Sequence, residues 1–181
     1  MTTIRRILLV TALLSTTAYA DQDLVHAIHG TIKKIDHGAK TVVIKTGDGV
    51  EHSLYITDEV AVHGAKTSDK AGTASWHELK EGSEVVAHYT KRGTEDSAVE
   101  IDKIGKDGLK AANGTVKELD RGGKRLVVDT GQGAKQTFRL TDHATEDAGK
   151  DVAKGTEEGT KVVVYYTEDA GKKVAHFFEG Q

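Results

Sequence analysis

The chain has 181 residues, no cysteine and no proline, and its 28 Asp and Glu residues outnumber 25 Lys and Arg residues for a formal net charge of −3. The absence of cysteine excludes disulfides, thiolate chemistry and a lipidated cysteine anchor. The acidic balance argues against a nucleic-acid partner, because a phosphate-binding surface needs the opposite sign.

The first 20 residues predict a secretory signal peptide. Two arginines precede an apolar stretch at residues 7–14, and the AYA sequence at 18–20 has the form of a cleavage site. The apolar stretch is much shorter than the roughly 20 residues that span a bilayer, and no later segment is uniformly apolar. We therefore expect no transmembrane segment, a mature chain that begins at Asp21, and a periplasmic or secreted location.

The remainder of the chain repeats itself. Residues 30–36 (GTIKKID) and 40–44 (KTVVI) return as residues 114–120 (GTVKELD) and 124–128 (KRLVV). Both pairs are separated by the same 84 residues. A constant offset of this kind is the signature of a duplicated folding unit.

Each copy has the pattern of short strands separated by Gly and Asp turns, which favours an all-β barrel or sandwich. The strands predicted in the first copy are 27–36, 41–46, 51–56, 84–91 and 98–104. Those predicted in the second copy are 114–120, 125–130, 136–140, 161–167 and 173–178. The sequence therefore predicts an all-β protein of two tandem, small, five-stranded β-barrels, with domains at 24–105 and 109–181.

The first strand of each copy is predicted to contain a β-bulge. Ile32 and Ile35 are three positions apart, and the second copy repeats this step. Two apolar residues at this spacing share a face of a strand only if an extra residue is accommodated between them. We predict bulges at 33–34 and 117–118, which would bend a long first strand and allow a small barrel to close.

The connection between the third and fourth strands is longer in the first copy, by seven residues. Within it, residues 75–78 (SWHE) have the S-x-x-E form of a capping box. We therefore predict a short helix at this position.

The sequence resembles small extracytoplasmic OB-like domains of a bacterial family of unknown function. The resemblance is carried in the first copy by residues 29–36 (HGTIKKID), 40–44 and 79–86 (LKEGSEVV). The second copy keeps the opening motif, and residues 158–163 (EGTKVV) retain part of the last one. The resemblance covers nearly all of the mature chain and implies two OB-like barrels in the cell envelope.

The opening motif is also similar to that of the periplasmic copper-binding OB domain of copper-efflux systems. That family binds Cu(I) through a histidine, methionines and a tryptophan on the barrel face. In this chain the only methionine is Met1, and Trp76 lies in the long connection of the first copy. The resemblance therefore implies the fold and not the copper site, because the thioether ligands that Cu(I) prefers are missing.

Histidine is the residue type that points most directly to a metal site, since neutral imidazole binds zinc, copper and nickel. The chain has nine histidines. All except His176 are candidates, and we predict His52 and His88 as a metal-binding pair because both fall within strands. The structural alternative is that each is a partly buried polar residue on its strand.

Tyrosines in the two fourth strands are candidates for stacking on a ligand. In the second copy, Val162, Val164 and Tyr166 alternate on one face. We assign Tyr89 and Tyr166 to the barrel cores and predict Tyr165 to be exposed and ligand-binding.

No catalytic motif frames the available Ser, His and Asp residues, and the paired carboxylates fall in predicted turns. The leading hypothesis is an exported, non-enzymatic binding module with an unknown protein or small-ligand partner and no cofactor. The alternative is a divalent metal-binding or metal-buffering protein that uses histidines, and an enzyme ranks third.

Overall fold

The computed structural model describes residues 25–63, 76–106, 108–131, 133–145 and 157–181. The first five strands are β1 (Val25–Asp36), β2 (Thr41–Thr46), β3 (Glu51–His63), β4 (Glu84–Arg92) and β5 (Glu95–Lys103). The next five are β6 (Lys110–Asp120), β7 (Arg125–Asp129), β8 (Lys135–Leu140), β9 (Lys161–Asp169) and β10 (Lys172–Gly180).

The ten strands form two closed barrels. The first has the order β1-β2-β3-β5-β4 and closes where β4 pairs with β1. The second has the order β6-β7-β8-β10-β9 and closes where β9 pairs with β6. In both barrels the third and fifth strands run parallel. The predicted fold class is confirmed, and both barrels share one strand order.

Both predicted bulges in the first strands are present. The β1–β2 register shifts between Ile32 and Lys34, and the β6–β7 register shifts between Val116 and Glu118. Each first strand pairs with the second strand along one half and with the fourth strand along the other. A bulge increases local bend and twist, so it lets one long strand belong to both sides of the barrel.

Strand β3 is longer than predicted, because it continues past Ile56 to His63. Val60 and Val62 are buried in the first core, so the inward alternation resumes after a register irregularity between Ile56 and Ala61. Three polar residues at 57–59 interrupt the alternation of apolar residues, so the sequence does not predict this extension. The extension lies beside β5 and places His63 directly opposite Asp102.

Each barrel has its own apolar core, and a third cluster lies between the two barrels. As predicted, Tyr89 and Tyr166 belong to the cores of the first and second barrels. The cluster between the barrels consists of Val86, Leu109, Tyr165 and Phe177, with Ala27, Ile104 and Val163 packed against it. The outer faces of β4 and of β9–β10 therefore pack together, which excludes water from part of each barrel's surface.

Two short helical segments follow the third strands. A 3₁₀ helix occupies Trp76–Glu78, close to the predicted helix, whereas Ser75 of the proposed capping box lies outside the described residues. In the second barrel a single helical turn at 142–145 begins after Thr141, whose Oγ1 accepts a hydrogen bond from the Ala144 N–H at 3.1 Å.

No helix within the described ranges is long and apolar enough to cross a membrane. The predicted signal peptide lies outside those ranges, as does the start of the first predicted domain at residue 24. Both stay predictions.

Gly30→Ala is expected to destabilise the first barrel by about 1–3 kcal/mol, the usual cost of overpacking. A Cβ at this position would overlap the backbone oxygen of Lys45 and lie 2.9 Å from Ile44 Cγ2. Urea unfolding of the variant should show a lower midpoint. Gly47→Ala is the control, because a Cβ there meets nothing within 4 Å. Equal midpoints for the two variants would contradict the prediction.

Candidate metal centre between the barrels

Four side chains from both barrels converge at one edge of the interface. They are His63 on β3, Glu100 and Asp102 on β5, and His176 on β10, and their donor atoms all lie within 4.8 Å of one another. Glu100 and Asp102 alternate with Ile101, which is buried in the first core. Because side chains alternate along a strand, the two carboxylates share the outer face of β5, towards the second barrel.

A β-bulge turns His176 into the cluster. The β9–β10 register shifts between Ala175 and Phe177, so His176 is the extra residue. Ala175 belongs to the second core and Phe177 to the cluster between the barrels. The first barrel has the matching irregularity at Val99, where the β4–β5 register shifts. Bulges commonly re-aim a side chain in this way.

The distances between donor atoms resemble those of a coordination shell. His63 Nδ1 lies 2.9 Å from Asp102 Oδ1 and 3.0 Å from Glu100 Oε1. His176 Nδ1 lies 3.3 Å from Asp102 Oδ2 and 3.6 Å from Glu100 Oε1. In a tetrahedral zinc site with bonds of about 2.0–2.1 Å, neighbouring ligand atoms are roughly 3.4 Å apart. The four donors would need only small movements to hold such an ion.

Three of the four side chains are largely removed from water, whereas the His63 side chain is 38% exposed. The Asp102 side chain is fully buried, and the side chains of Glu100 and His176 are each 13% exposed. Asp102 Oδ2 and His176 Nδ1 are buried and face each other at 3.3 Å without a well-aligned hydrogen bond. Buried polar atoms normally have well-aligned partners, so this pair is suited to bind a ligand.

Charge within the cluster is balanced by protonated histidines. Asp102 and Glu100 raise the pKa of His63 to about 10. Burial acts to lower the pKa of His176, but the same two carboxylates outweigh it and raise the pKa to about 9. Without a metal, both imidazoles are therefore cationic at neutral pH.

The pKa values of the two carboxylates are lowered. Burial acts to raise the pKa of Glu100, but the interactions with His143, His176 and His63 hold this pKa well below its usual value. Burial likewise acts to raise the pKa of Asp102, and His176 and His63 lower it overall. Both carboxylates are therefore ionised and available as ligands.

Surrounding residues orient the ligands. His176 Nε2 forms a 3.0 Å hydrogen bond with Thr167 Oγ1, which leaves Nδ1 directed at the carboxylates. His143, on the helical turn after β8, lies with its Nδ1 2.7 Å from Glu100 Oε2. Such outer contacts fix ring orientation and tune metal affinity.

A second cluster of polar side chains joins the barrels around His29. His29 Nε2 lies 2.9 Å from Glu84 Oε1, and its Nδ1 lies 3.0 Å from Glu179 Oε1 of the second barrel. The interaction with Glu179 is the main cause of a raised pKa for His29. Tyr165 donates a hydrogen bond to Glu179 Oε1 at 3.0 Å. One imidazole between two carboxylates forms an ion-paired link between the barrels.

The predicted exposure of Tyr165 is wrong. The residue is only 5% exposed because the first barrel covers the outer face of β9. Its ring stacks with Phe177 and lies 4.8 Å from the ring of His29. A ligand therefore has no open ring face on which to stack here.

The structure does not bring His52 and His88 together. His52 is half-buried and in phase with Leu54, which lies inside the first barrel. His88 is fully buried on the outer face of β4, opposite Glu100 in the strand register. Its ring lies 5.2 Å from that of His143. The shared face that the predicted pair required is absent, although His88 borders the metal centre.

Sequence reasoning listed His63 only as one of eight candidate histidines and missed the other three members of this cluster. The available signal was the alternation of Glu100 and Asp102 in a predicted strand, which places two carboxylates on one face. Such a face is normally solvated, and nothing local shows that another domain covers it. Strict alternation puts His176 in phase with Phe178 of the second core, and only the bulge gives it an outward direction.

Known structures similar to this chain include forms of CusF. The Ag(I)-bound form from Escherichia coli is 17% identical, with a TM-score of 0.36, and the match covers 47% of this chain and 98% of that one. The apo form from Escherichia coli is 18% identical, with a TM-score of 0.35, and the match covers 50% and 99%. A further Ag(I)-bound CusF is 17% identical, with a TM-score of 0.33, and the match covers 44% and 97%.

No protein-family model matches the sequence, and no curated protein matches it either.

Proposed function

We propose that this protein is a non-enzymatic, divalent metal-binding protein of the cell envelope that holds its ion between the two barrels. The observation that carries the proposal is the convergence of His63, Glu100, Asp102 and His176 within 4.8 Å. Two imidazole nitrogens and two carboxylate oxygens suit Zn²⁺, and also Cu²⁺ or Ni²⁺. The chain has no cysteine and only Met1, so the donors that favour Cu(I) or Ag(I) are missing.

The number of ligands supports binding rather than catalysis. Four protein ligands complete a tetrahedral shell, whereas catalytic zinc sites keep one position open for water or substrate. Three ligands belong to the first barrel and His176 belongs to the second. A bound ion would therefore stabilise the packing of one barrel on the other.

Location is the second part of the proposal. The basic start, the short apolar stretch and the AYA sequence support export to the periplasm or beyond. Metal binding is a specific case of the broader hypothesis of an exported binding module. It names the ligand class that the broader hypothesis leaves open.

Isothermal titration calorimetry of the purified mature protein with Zn²⁺ tests the proposal. We expect one ion per chain, and His176→Ala should weaken binding by about a hundred-fold or more because it removes a ligand. His63→Ala should act in the same direction.

His52→Ala is the matched control, since it removes a histidine of the first barrel that lies outside the cluster. Its binding should equal that of the wild type. No stoichiometric binding, or an equal loss in all three variants, would sink the proposal.

A further inference from the structure

The second barrel has a cationic pocket that the metal centre does not involve. Its cavity has a volume of about 480 Å³. Its lining includes four cationic and two neutral polar side chains: Lys135, Gln136, Thr137, Arg139, Lys172 and Lys173. No carboxylate is among the described residues that line it. We propose that this pocket binds a small, multivalent anion that carries phosphate groups.

The strands bring these residues around one cavity. Lys135, Thr137 and Arg139 alternate on the exposed face of β8, which runs parallel to β10. Lys172 follows the tight turn at Gly171, whose φ is 77°. Three cations, Lys135, Arg139 and Lys172, thus approach the cavity from β8 and from the hairpin turn between β9 and β10.

Lys173 differs from the other three cations, because its ammonium group lies on the core side of the strands. Its Nζ lies 5.8 Å from the centre of the Phe138 ring and 5.2 Å from that of Tyr166. It also donates a hydrogen bond to Gln136 Oε1 at 2.5 Å. A cation over aromatic rings is attracted to their faces, so this ammonium group is held on the inner side, and Lys135, Arg139 and Lys172 supply the positive charge of the outer face.

Two carboxylates near the pocket form their ion pairs with cations outside it, and Asp142 also attracts Arg139 at longer range. Glu168, beside Lys173 in the strand register, pairs with Lys110 at 2.9 Å. Asp142 pairs with Lys124. Among the described side chains, Lys135, Arg139 and Lys172 form no ion pair with a carboxylate. Their positive charge is available to an external anion.

The equivalent position in the first barrel lacks this positive charge. Phe138 pairs with Lys173 in the second barrel, and Leu54 pairs with Asp96 at the same point of the first. The positions of Lys135, Arg139, Lys172 and Lys173 are occupied there by Glu51, Tyr55, Glu95 and Asp96. The barrel fold therefore does not require cations at this site, and grouping like charges is unfavourable without a counter-ion.

The side chains define the ligand class. Lys and Arg form charge-assisted hydrogen bonds with phosphate, and the Thr hydroxyl and Gln amide add neutral donors. Pockets for small molecules run from about 300 to 1,000 Å³, so this cavity accommodates more than one phosphate group. The ligand is an oligophosphate, a small molecule with several phosphates, or a lipid headgroup of the same chemistry.

Calorimetric titration of the metal-free mature protein with sodium tripolyphosphate at low ionic strength is the test. Lys172→Glu and Arg139→Tyr, which introduce the residues of the first barrel, should each weaken binding by about tenfold or more. Added NaCl should weaken binding to the wild type. Lys80→Glu, which makes the same charge change at an exposed position of the first barrel, should leave the affinity within about twofold of the wild type.

Two further arms complete the test. His176→Ala should retain tripolyphosphate binding, because its metal centre lies elsewhere; loss of binding there would overturn the proposal. A different result is that the wild type binds phosphatidic acid vesicles in a co-sedimentation assay and does not bind tripolyphosphate. If Lys172→Glu then reduced the vesicle binding, the result would support the pocket and place the phosphate on a lipid. The assignment would be overturned if the wild type bound neither tripolyphosphate nor the vesicles. It would also be overturned if Lys80→Glu lost as much affinity as Lys172→Glu. Circular dichroism melts confirm that each variant is folded.

Discussion

Lowering the pH from 7 to 6 is expected to weaken Zn²⁺ binding by about a hundred-fold. The carboxylates raise the pKa of His63 to about 10 and that of His176 to about 9, so both imidazoles carry a proton at either pH. A metal binds only the deprotonated nitrogen, and binding must therefore release two protons. Each pH unit below about 9 then changes the apparent affinity by about two powers of ten.

The carboxylates do not alter this slope. The pKa values of Glu100 and Asp102 are lowered, so both groups stay ionised at pH 6 and exchange no proton. His143 and His88 also face the cluster from the second and first barrels, but neither belongs to the ligand set.

Competition with a calibrated chromophoric chelator between pH 5.5 and 8 would measure the slope. Calorimetry in two buffers of different ionisation enthalpy would count the protons, with an expected value of about two per ion. The His52→Ala variant should behave as the wild type. A slope below one, or no proton release, would contradict the assignment of these histidines as ligands.

Asp102→Asn is expected to lower the free energy of unfolding of the metal-free protein by about 3–5 kcal/mol at pH 7. Asp102 is fully buried between two protonated imidazoles. Removing its charge leaves those cations without their main partner, and such a loss inside a protein is costly. Urea unfolding in the presence of a chelator would measure the change. Glu95→Gln, an exposed carboxylate on the same strand, is the control and should cost less than about 0.5 kcal/mol.

The pH dependence of stability follows from the same groups. The folded pKa values of His63 and His176 are about 10 and 9, above the unfolded value of 6.5. Their contribution is fully present below pH 6.5 and is lost as the pH rises through 9 to 10. The pKa of Asp102 is lowered instead, so its contribution is present above about pH 4 and is lost on acidification.

Wild-type stability should therefore fall between about pH 6.5 and 10, and the curve for Asp102→Asn should be flatter in that range. If Asp102→Asn and Glu95→Gln unfold at the same urea concentration, the cluster does not stabilise the interface. If Asp102→Asn is destabilised while no metal binds, the cluster serves as an ion-paired link between the barrels.

Features set by neighbouring residues could be predicted from the sequence. The three-residue step from Ile32 to Ile35 located the bulge of β1, because side-chain alternation is a property of the local backbone. The repeat at an offset of 84 residues predicted two barrels of one topology. The end of β3 could not be placed, since three polar residues interrupt its alternation before Val60 and Val62.

The candidate metal centre, in contrast, could not be predicted from neighbouring residues. Its ligands come from three strands, and His63 and His176 are more than a hundred residues apart. Alternation placed Glu100 and Asp102 on an outer face, but only the packing of the second barrel turns that face into an interior. The same packing buries Tyr165, which alternation alone had placed at the surface.

By itself, the sequence determined most of the strands and the bulges of β1 and β6, because these follow from periodicity and turn chemistry within about a dozen residues. It also determined the duplication, which is visible as a repeat at an offset of 84 residues. The tertiary structure decided which outer faces meet and, with the bulge at His176, which histidines and carboxylates converge. Apolar residues between the barrels drive that contact, and removal of water at its edge turns four ordinary polar side chains into strongly coupled, ionised partners.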